Sequence, residues 1–233
     1  MVNVRKIKDI ISYLLVNYRR RIENISVTDI TGCLRQTYYD IVYGRNLLEP
    51  EQIHTLISAM EGGVVHSLLG ELLQNCQELN CILEQHICVE KNGLKICGRP
   101  DAICLIGNEL VILEFKTVRR RVTVENIPRL YMRYIRQVQY YMCIWNMLNE
   151  KKIEKGYIVF IQLVDKASNP FVYEVKHSED ACREMFERAE KLWKCLQSDI
   201  VPEPEPSPIC SGCYWRSKCM NVLPLFTTER GRE

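Results

Sequence analysis

Apolar residues recur at helical spacing near the start of the chain. Ile7, Ile10, Ile11, Leu14, Leu15 and Tyr18 form one stripe over residues 4–20, with Arg5, Lys6, Arg19, Arg20 and Arg21 around or after it, which predicts an amphipathic basic helix. A second helix is expected from Thr28 or Thr31, either of which caps it, through Cys33, Arg35, Tyr38 and Tyr39 to a stop at Gly44. A third runs over residues 61–79 through His66, with Leu68, Leu69, Leu72 and Leu73 as its buried face. The period then changes to two. Strands are expected over residues 82–90, 95–98, 101–106 and 109–117, punctuated by Asn92-Gly93, Arg99-Pro100 and Gly107-Asn108. Pro128 suits the first turn of a long helix ending near Asn149, followed by a strand pair over residues 156–164 and 171–176. Ser178 caps a helix over residues 179–197, and Pro202, Pro204, Pro206 and Pro208 make a stiff extended spacer. Helices flanking a mixed sheet make this an α/β (α+β) protein. It divides into an N-terminal helical extension (1–24), one domain (25–200) and a Pro-rich spacer with a Cys-rich segment (201–233).

Composition narrows the class. Hydrophobic residues at 47% and charged residues at 26% describe a soluble globular chain, and 31 Lys+Arg against 29 Asp+Glu mean that an anionic partner must be met by a local basic patch. The sequence has neither a bilayer-spanning apolar run nor a secretory signal, so a cytoplasmic protein without membrane association is expected. Of the twelve cysteines, Cys76, Cys81, Cys88, Cys97, Cys104, Cys143, Cys182 and Cys195 sit singly in apolar or helical surroundings. Such cysteines are expected to pack as small hydrophobes, with disulfides only if the source is a hyperthermophile. Cys210, Cys213 and Cys219 are different, being close enough in sequence to bind one metal centre that still needs a fourth ligand from afar. Their spacing suits zinc and an iron–sulfur cluster alike.

The densest chemistry is on a hairpin. A two-residue turn at Gly107-Asn108 makes Ile106 and Glu109 partners, and counting outward by equal steps sets Asp101 opposite Glu114, with Lys116 on the same face. Ile103, Leu105, Leu110 and Ile112 share that face while Ala102, Cys104, Val111, Leu113 and Phe115 make the other apolar, so these strands are central. Two carboxylates facing each other in a half-dry place repel unless a cation lies between them, and oxygen ligands suit Mg²⁺ or Mn²⁺. A buried salt bridge to Lys116 without catalysis is the competing reading of the hairpin by itself.

Taken in order, Cys33-Leu-Arg35-Gln-Thr-Tyr38-Tyr39, Gly62-x-x-x-His66, Gly98-Arg-Pro-Asp101, Leu113-Glu114-Phe-Lys116, Gln137-x-x-x-Tyr141 and the terminal cysteines resemble the RecB-like nucleases of the PD-(D/E)xK superfamily. The likeness is greatest to the small CRISPR-associated exonucleases, the fourth-numbered Cas family. Leu34 departs from that pattern, standing where Pro is common. The resemblance implies a restriction-endonuclease-like core, with Mn²⁺ or Mg²⁺ held by His66, Asp101, Glu114 and the carbonyl of Phe115. It makes Lys116 the catalytic lysine and places Gln137 and Tyr141 at the DNA or the active-site water. It also implies a [4Fe-4S] cluster, or [2Fe-2S] as the lesser alternative, on Cys33, Cys210, Cys213 and Cys219. The implied activity is exonucleolytic trimming of single-stranded DNA ends for CRISPR spacer acquisition, with the integrase complex as partner and homo-oligomers as an option. A recombination or viral nuclease outside CRISPR, and a non-catalytic subunit that holds DNA ends, are the alternatives.

Arg119, Arg120 and Arg121 follow the catalytic strand, and Arg129, Arg133 and Arg136 recur on the next helix among Tyr131, Tyr134 and Tyr140. Arginines neutralise phosphates and aromatic rings stack on unpaired bases, so this run is expected to be a track for single-stranded DNA.

Overall fold

The computed structural model describes Lys6 and residues 22–46, 50–76, 79–164 and 170–220. Apart from Lys6, the helix expected over residues 4–20 lies outside these residues, as does the stretch after Met220. The described chain enters through a two-residue strand, β1 (Ile25–Ser26), and a short helix, α1 (Val27–Thr31). Ser26 caps α1. Its hydroxyl accepts from the Thr28 amide while the Asp29 carboxylate accepts from the Ser26 amide at 2.8 Å, so donors that a helix start leaves orphaned are satisfied. Gly32 ends α1, and the single helix expected from Thr28 to Gly44 is therefore two, the second being α2 (Leu34–Val42) with Cys33 at its N-cap.

Helix α3 (Pro50–Gln74) starts earlier than Glu61, and its buried face is not the expected one. Leu68 and Leu72 are 54% and 58% exposed, in line with Ile57, Met60 and Val64, while Leu73 packs on the sheet. A helix that is apolar over most of its circumference offers no unique stripe, so tertiary contact chooses the face.

The strand expected over residues 82–90 is also two, β2 (Asn80–Leu83) and β3 (Ile87–Lys91), parted at Glu84, whose φ of +47° reverses the backbone twist. β3 turns at Asn92-Gly93, both with positive φ as a tight hairpin requires, into β4 (Leu94–Gly98). Then come β5 (Ala102–Ile106) and β6 (Glu109–Val118). The long helix expected from Pro128 is divided into α4 (Ile127–Leu130) and α5 (Met132–Leu148). β7 (Lys155–Gln162), β8 (Phe171–Lys176), α6 (Glu179–Gln197) and α7 (Arg216–Met220) complete the order, with the Ser178 hydroxyl capping α6 by accepting from the Ala181 amide.

Five strands form a mixed sheet in the order β2-β5-β6-β7-β8, antiparallel except for β6 beside β7. A smaller sheet, β1-β4-β3, joins the two ends of the first third of the domain. On one face of the large sheet Ile103, Ile112, Ile158 and Phe160 pack with Val138, Tyr141 and Ile144 of α5 in the main core. On the other, Ala102, Cys104 and Val111 meet Leu73 of α3 and Leu83. β6 is thus buried from both sides, as the apolar residues on both its faces predict. Gly156 lets β7 and α5 approach, since a Cβ there would lie 2.4 Å from Val138 Cγ1. No helix among the described residues is long and apolar enough to cross a membrane.

Six cysteines expected to pack singly are instead bridged: Cys81–Cys104, Cys88–Cys97 and Cys143–Cys182. For the first two the reason is register. Cys81 and Cys104 are direct partners across β2 and β5, as are Cys88 and Cys97 across β3 and β4, and directly opposed Cβ atoms are close enough for a sulfur bridge. Sequence spacing does not show this, because it does not say which strands pair. Cys76 and Cys195 remain free and half-buried.

Candidate active site

The β5–β6 ladder pairs Ala102 with Leu113, the register that the two-residue turn dictates, and Asp101 lies one step beyond it. There it turns away from the strand. Its Oδ2 accepts a hydrogen bond from the Phe115 amide at 2.7 Å, and its Oδ1 lies 3.4 Å from Nδ1 of His66, which α3 delivers edge-on to the Phe115 ring. Glu114, on β6, is 2% exposed. Its Oε1 accepts from the Lys116 ammonium at 2.6 Å, whereas its Oε2 is buried with no hydrogen-bond partner among the described residues. The ammonium also lies 4.8 Å from the centre of the Tyr134 ring. The ligand atoms of His66, Asp101 and Glu114 do not all gather within 4.8 Å of one another, and one oxygen of Asp101 is engaged by the Phe115 amide and one of Glu114 by Lys116.

Burial pushes the Glu114 carboxyl up from 4.5 to about 7, with Lys116 opposing the rise and the charge of Asp101 adding to it. Burial would lower Lys116, but the adjacent Glu114 carboxylate overrides it and keeps the ammonium above the usual lysine value. A carboxyl raised on folding costs nothing below the unfolded value, where both states are protonated, and its full cost appears above the folded value. In a chelator, the protein should therefore lose about 3 kcal/mol of stability from this group as pH rises through the window from 4.5 to about 7. Melting temperature against pH should show the decline in wild type and a flatter profile in Glu114→Gln. Parallel profiles would place the titration elsewhere.

An orphaned, buried carboxylate oxygen costs free energy unless a cation or donor meets it. A divalent ion on Glu114 Oε2, with Asp101 and His66 beside it, fits this donor set, which is hard oxygen with one imidazole.

Helix α5 braces the site. The Gln137 side-chain amide donates to the Tyr141 hydroxyl at 2.9 Å, and the Tyr141 ring packs on the turn before Asp101 at Gly98. Gly98 makes room for the ring, since a Cβ there would lie 2.5 Å from Tyr141 Cε1. Burial raises the Tyr141 phenol above its ordinary value, and the nearby Glu114 charge adds to the rise. At 2% exposure Tyr141 is a brace, whereas Gln137, though 6% exposed, lines a depression. Two depressions flank the acids. One, of about 430 Å³, is walled by His66, Asp101, Phe115 and Glu84; the other, of about 480 Å³, is walled by Lys116, Gln137, Arg133, Tyr134 and Cys33.

Residues 34–220 match the PD-(D/E)XK nuclease superfamily. The chain belongs to this superfamily. No curated protein matches it in sequence. Among solved structures it is similar to SSO0001, with a TM-score of 0.60 and 21% identity over 94% of this chain and 98% of that one. It is also similar to the alkaline exonuclease LHK-Exo of Laribacter hongkongensis (TM-score 0.48, 11% identity, 82% and 93% covered). A phage-related exonuclease from Haemophilus somnus 129PT is a further neighbour (TM-score 0.47, 14% identity, 76% and 96% covered). At these identities the likeness is one of fold.

In this nuclease the terminal cysteines come to the N-terminal helices. Cys33, Cys210, Cys213 and Cys219 are unbridged and wall one cavity of about 320 Å³ together with Arg35 and Trp215. The Cys33 thiol makes no capping hydrogen bond to α2, so its sulfur is available to a ligand. No three of the four sulfurs lie within 4.8 Å of one another. Burial raises the Cys213 thiol above its ordinary value. Sequence reasoning missed the residues that dock this segment. Arg188 donates to the carbonyls of Ile30 and Gly32 and to Glu205, whose other oxygen accepts from the Leu34 amide at 3.1 Å. Arg35, 4% exposed, donates to the Pro202 carbonyl at 2.6 Å and points a second nitrogen at Cys219 Sγ, 3.8 Å away. Trp215 donates to Asp40 at 2.5 Å and packs on Tyr39 and Tyr43. One signal was available: Arg188 interrupts the apolar face of α6 between Met185 and Leu192, both fully buried.

The basic run is not uniform. Arg119 pairs with Glu61 at 2.6 Å at the surface and the half-buried Arg136 with Glu184 at 2.8 Å, so both have a carboxylate partner. Arg119, Arg120 and Arg133 wall a groove of about 520 Å³ that ends at Tyr131, and Arg129, Arg133 and Arg136 wall a smaller one beside Cys33. Arg121 is exposed and walls neither. Tyr140 is fully buried, whereas Tyr134 stacks on Tyr131 next to Lys116.

Proposed function

We propose that this chain is a Mn²⁺- or Mg²⁺-dependent exonuclease of single-stranded DNA, with an iron–sulfur cluster fastening its terminal segment. The observation that carries the reading is the buried Glu114 carboxylate, with one oxygen on Lys116 and the other without a hydrogen-bond partner among the described residues, while Asp101 and His66 wall one depression and Lys116 another. His66, Asp101, Glu114 and the Phe115 carbonyl would hold the divalent ion, which supplies Lewis acidity and a more acidic bound water. Lys116, held by Glu114 and the Tyr134 ring, orients the attacking water and meets charge developing on the phosphate. Gln137 contacts the strand or that water from the wall of the Lys116 depression, and Tyr141 positions the turn that carries Asp101. Arg120, Arg121 and Arg133 neutralise backbone phosphates, with Arg119 and Arg136 at the margins.

Cys33, Cys210, Cys213 and Cys219 are the cluster ligands in this reading. Cys₄ suits zinc and an iron–sulfur centre alike, and the likeness of the ordered motifs favours a [4Fe-4S] cluster, whose chemistry at this place would be structural. The ordered motifs support a place in CRISPR spacer acquisition, where trimmed ends pass to an integrase complex.

The test is digestion of end-labelled linear single-stranded DNA and of circular single strands with Mn²⁺, at rising salt. We expect mononucleotide release from the linear substrate only, abolished by chelator, with binding that falls steeply as salt increases. Cutting of circles at an equal rate would make it an endonuclease, and salt-insensitive binding would refute the phosphate contacts.

A further inference from the structure

Cys143 lies on α5 at 1% exposure and Cys182 in the first turn of α6 at 6%, and the residue just before the α6 cap is His177, whose side chain is 13% exposed. The two sulfurs and the imidazole Nε2 all lie within 4.8 Å of one another, and Nε2 is 3.4 Å from Cys182 Sγ. A disulfide has no use for a buried imidazole at this distance, since a bridged sulfur is at best a weak acceptor. A tetrahedral Zn²⁺ does, because bonds of about 2.0–2.3 Å hold neighbouring ligand atoms about 3.3–3.8 Å apart. The Glu179 carboxylate, 80% exposed and free to swing, already approaches to 4.0 Å of His177 Nε2.

We propose that Cys143, His177 and Cys182, completed by Glu179, are a Zn²⁺ site that takes over from the Cys143–Cys182 disulfide when that pair is reduced. A dithiol reductant gives two electrons and two protons to the bridge, the S–S bond breaks, and the reductant leaves as its own disulfide. The two thiols then bind Zn²⁺ as thiolates and release two protons, while His177 binds through its Nε2 lone pair. Two thiolates and an imidazole select a borderline-soft cation over Mg²⁺ or Mn²⁺, so the site does not compete with the acids for their ion. Its consequence is mechanical. α5 carries Gln137 and Tyr141, and a link from α5 to α6 is kept in both redox states, which insulates the brace of the nuclease site from the redox potential around it.

Protein purified throughout under a dithiol, with a thiol titration confirming that the bridge is open, is desalted anaerobically, loaded with Zn²⁺, washed and assayed by elemental analysis beside oxidised protein. The terminal cysteines are common to every sample. We expect reduced wild type to hold about one more Zn²⁺ per chain than reduced His177→Ala. His86→Ala, at the other Cys–His–Cys group, should leave that increment unchanged. Co²⁺ in place of Zn²⁺ should give a thiolate charge-transfer band that is weaker in His177→Ala than in wild type, and added Zn²⁺ should raise the melting temperature of reduced wild type more than that of the variant. Equal zinc in reduced wild type and His177→Ala, or no more zinc in reduced than in oxidised wild type, overturns the proposal. The His177 variant decides it without removing the bridge, because that substitution leaves both cysteines in place.

Discussion

Replacing Glu114 with alanine should, on the proposed mechanism, lower the release of nucleotides from single-stranded DNA by at least about a thousandfold, because it removes both the buried oxygen proposed for the cation and the partner that fixes Lys116. Lys116→Ala should do comparable damage to the rate while leaving metal binding near wild type, since Asp101, His66 and Glu114 remain. The two are separated by calorimetric titration with Mn²⁺, in which Glu114→Ala loses affinity and Lys116→Ala keeps it. Truncating Glu114 also strands a buried ammonium, so Glu114→Gln, which keeps a hydrogen-bond acceptor for Lys116, is the control for folding. Equal digestion by wild type, Glu114→Gln and Lys116→Ala would move the chemistry away from β6.

The second large effect is expected at the terminal cysteines. A cluster on Cys33, Cys210, Cys213 and Cys219 closes nearly the whole domain into one loop, and cross-links over such lengths contribute about 5 kcal/mol. Cys213→Ser should bleach the brown absorbance and lower the melting temperature by roughly 10 °C or more. Part of the docking survives on Arg188 with Glu205 and on Trp215 with Asp40, so the nuclease core should stay folded at room temperature. A Cys213→Ser protein that keeps both its colour and its melting temperature would rule out cluster ligation.

The hairpin register was legible because a two-residue turn leaves no freedom: once Ile106 and Glu109 are partners, every pair outward to Ala102 and Leu113 follows. The doubled apolar faces of β6 likewise announced a strand covered on both sides, and the mixed sheet with its flanking helices followed from the order of periods along the chain. Helix boundaries were less legible. Gly32 and Glu84 each split an element that periodicity read as continuous, since a single backbone reversal hardly alters a hydrophobic pattern.

Sequence by itself determined the identity and order of the chemical groups: two acids and a lysine at one end of a hairpin, and three cysteines in a terminal cluster. Local geometry sufficed there, because strand alternation and short turns act over a few residues. Only the tertiary structure decided which oxygen of Glu114 is left without a donor, that Tyr141 is sealed in as a brace, that Arg119 and Arg136 are tied to carboxylates, and which cysteines face one another. Each of those facts depends on segments distant in sequence arriving side by side, and burial and pairing energies arise only once they have done so.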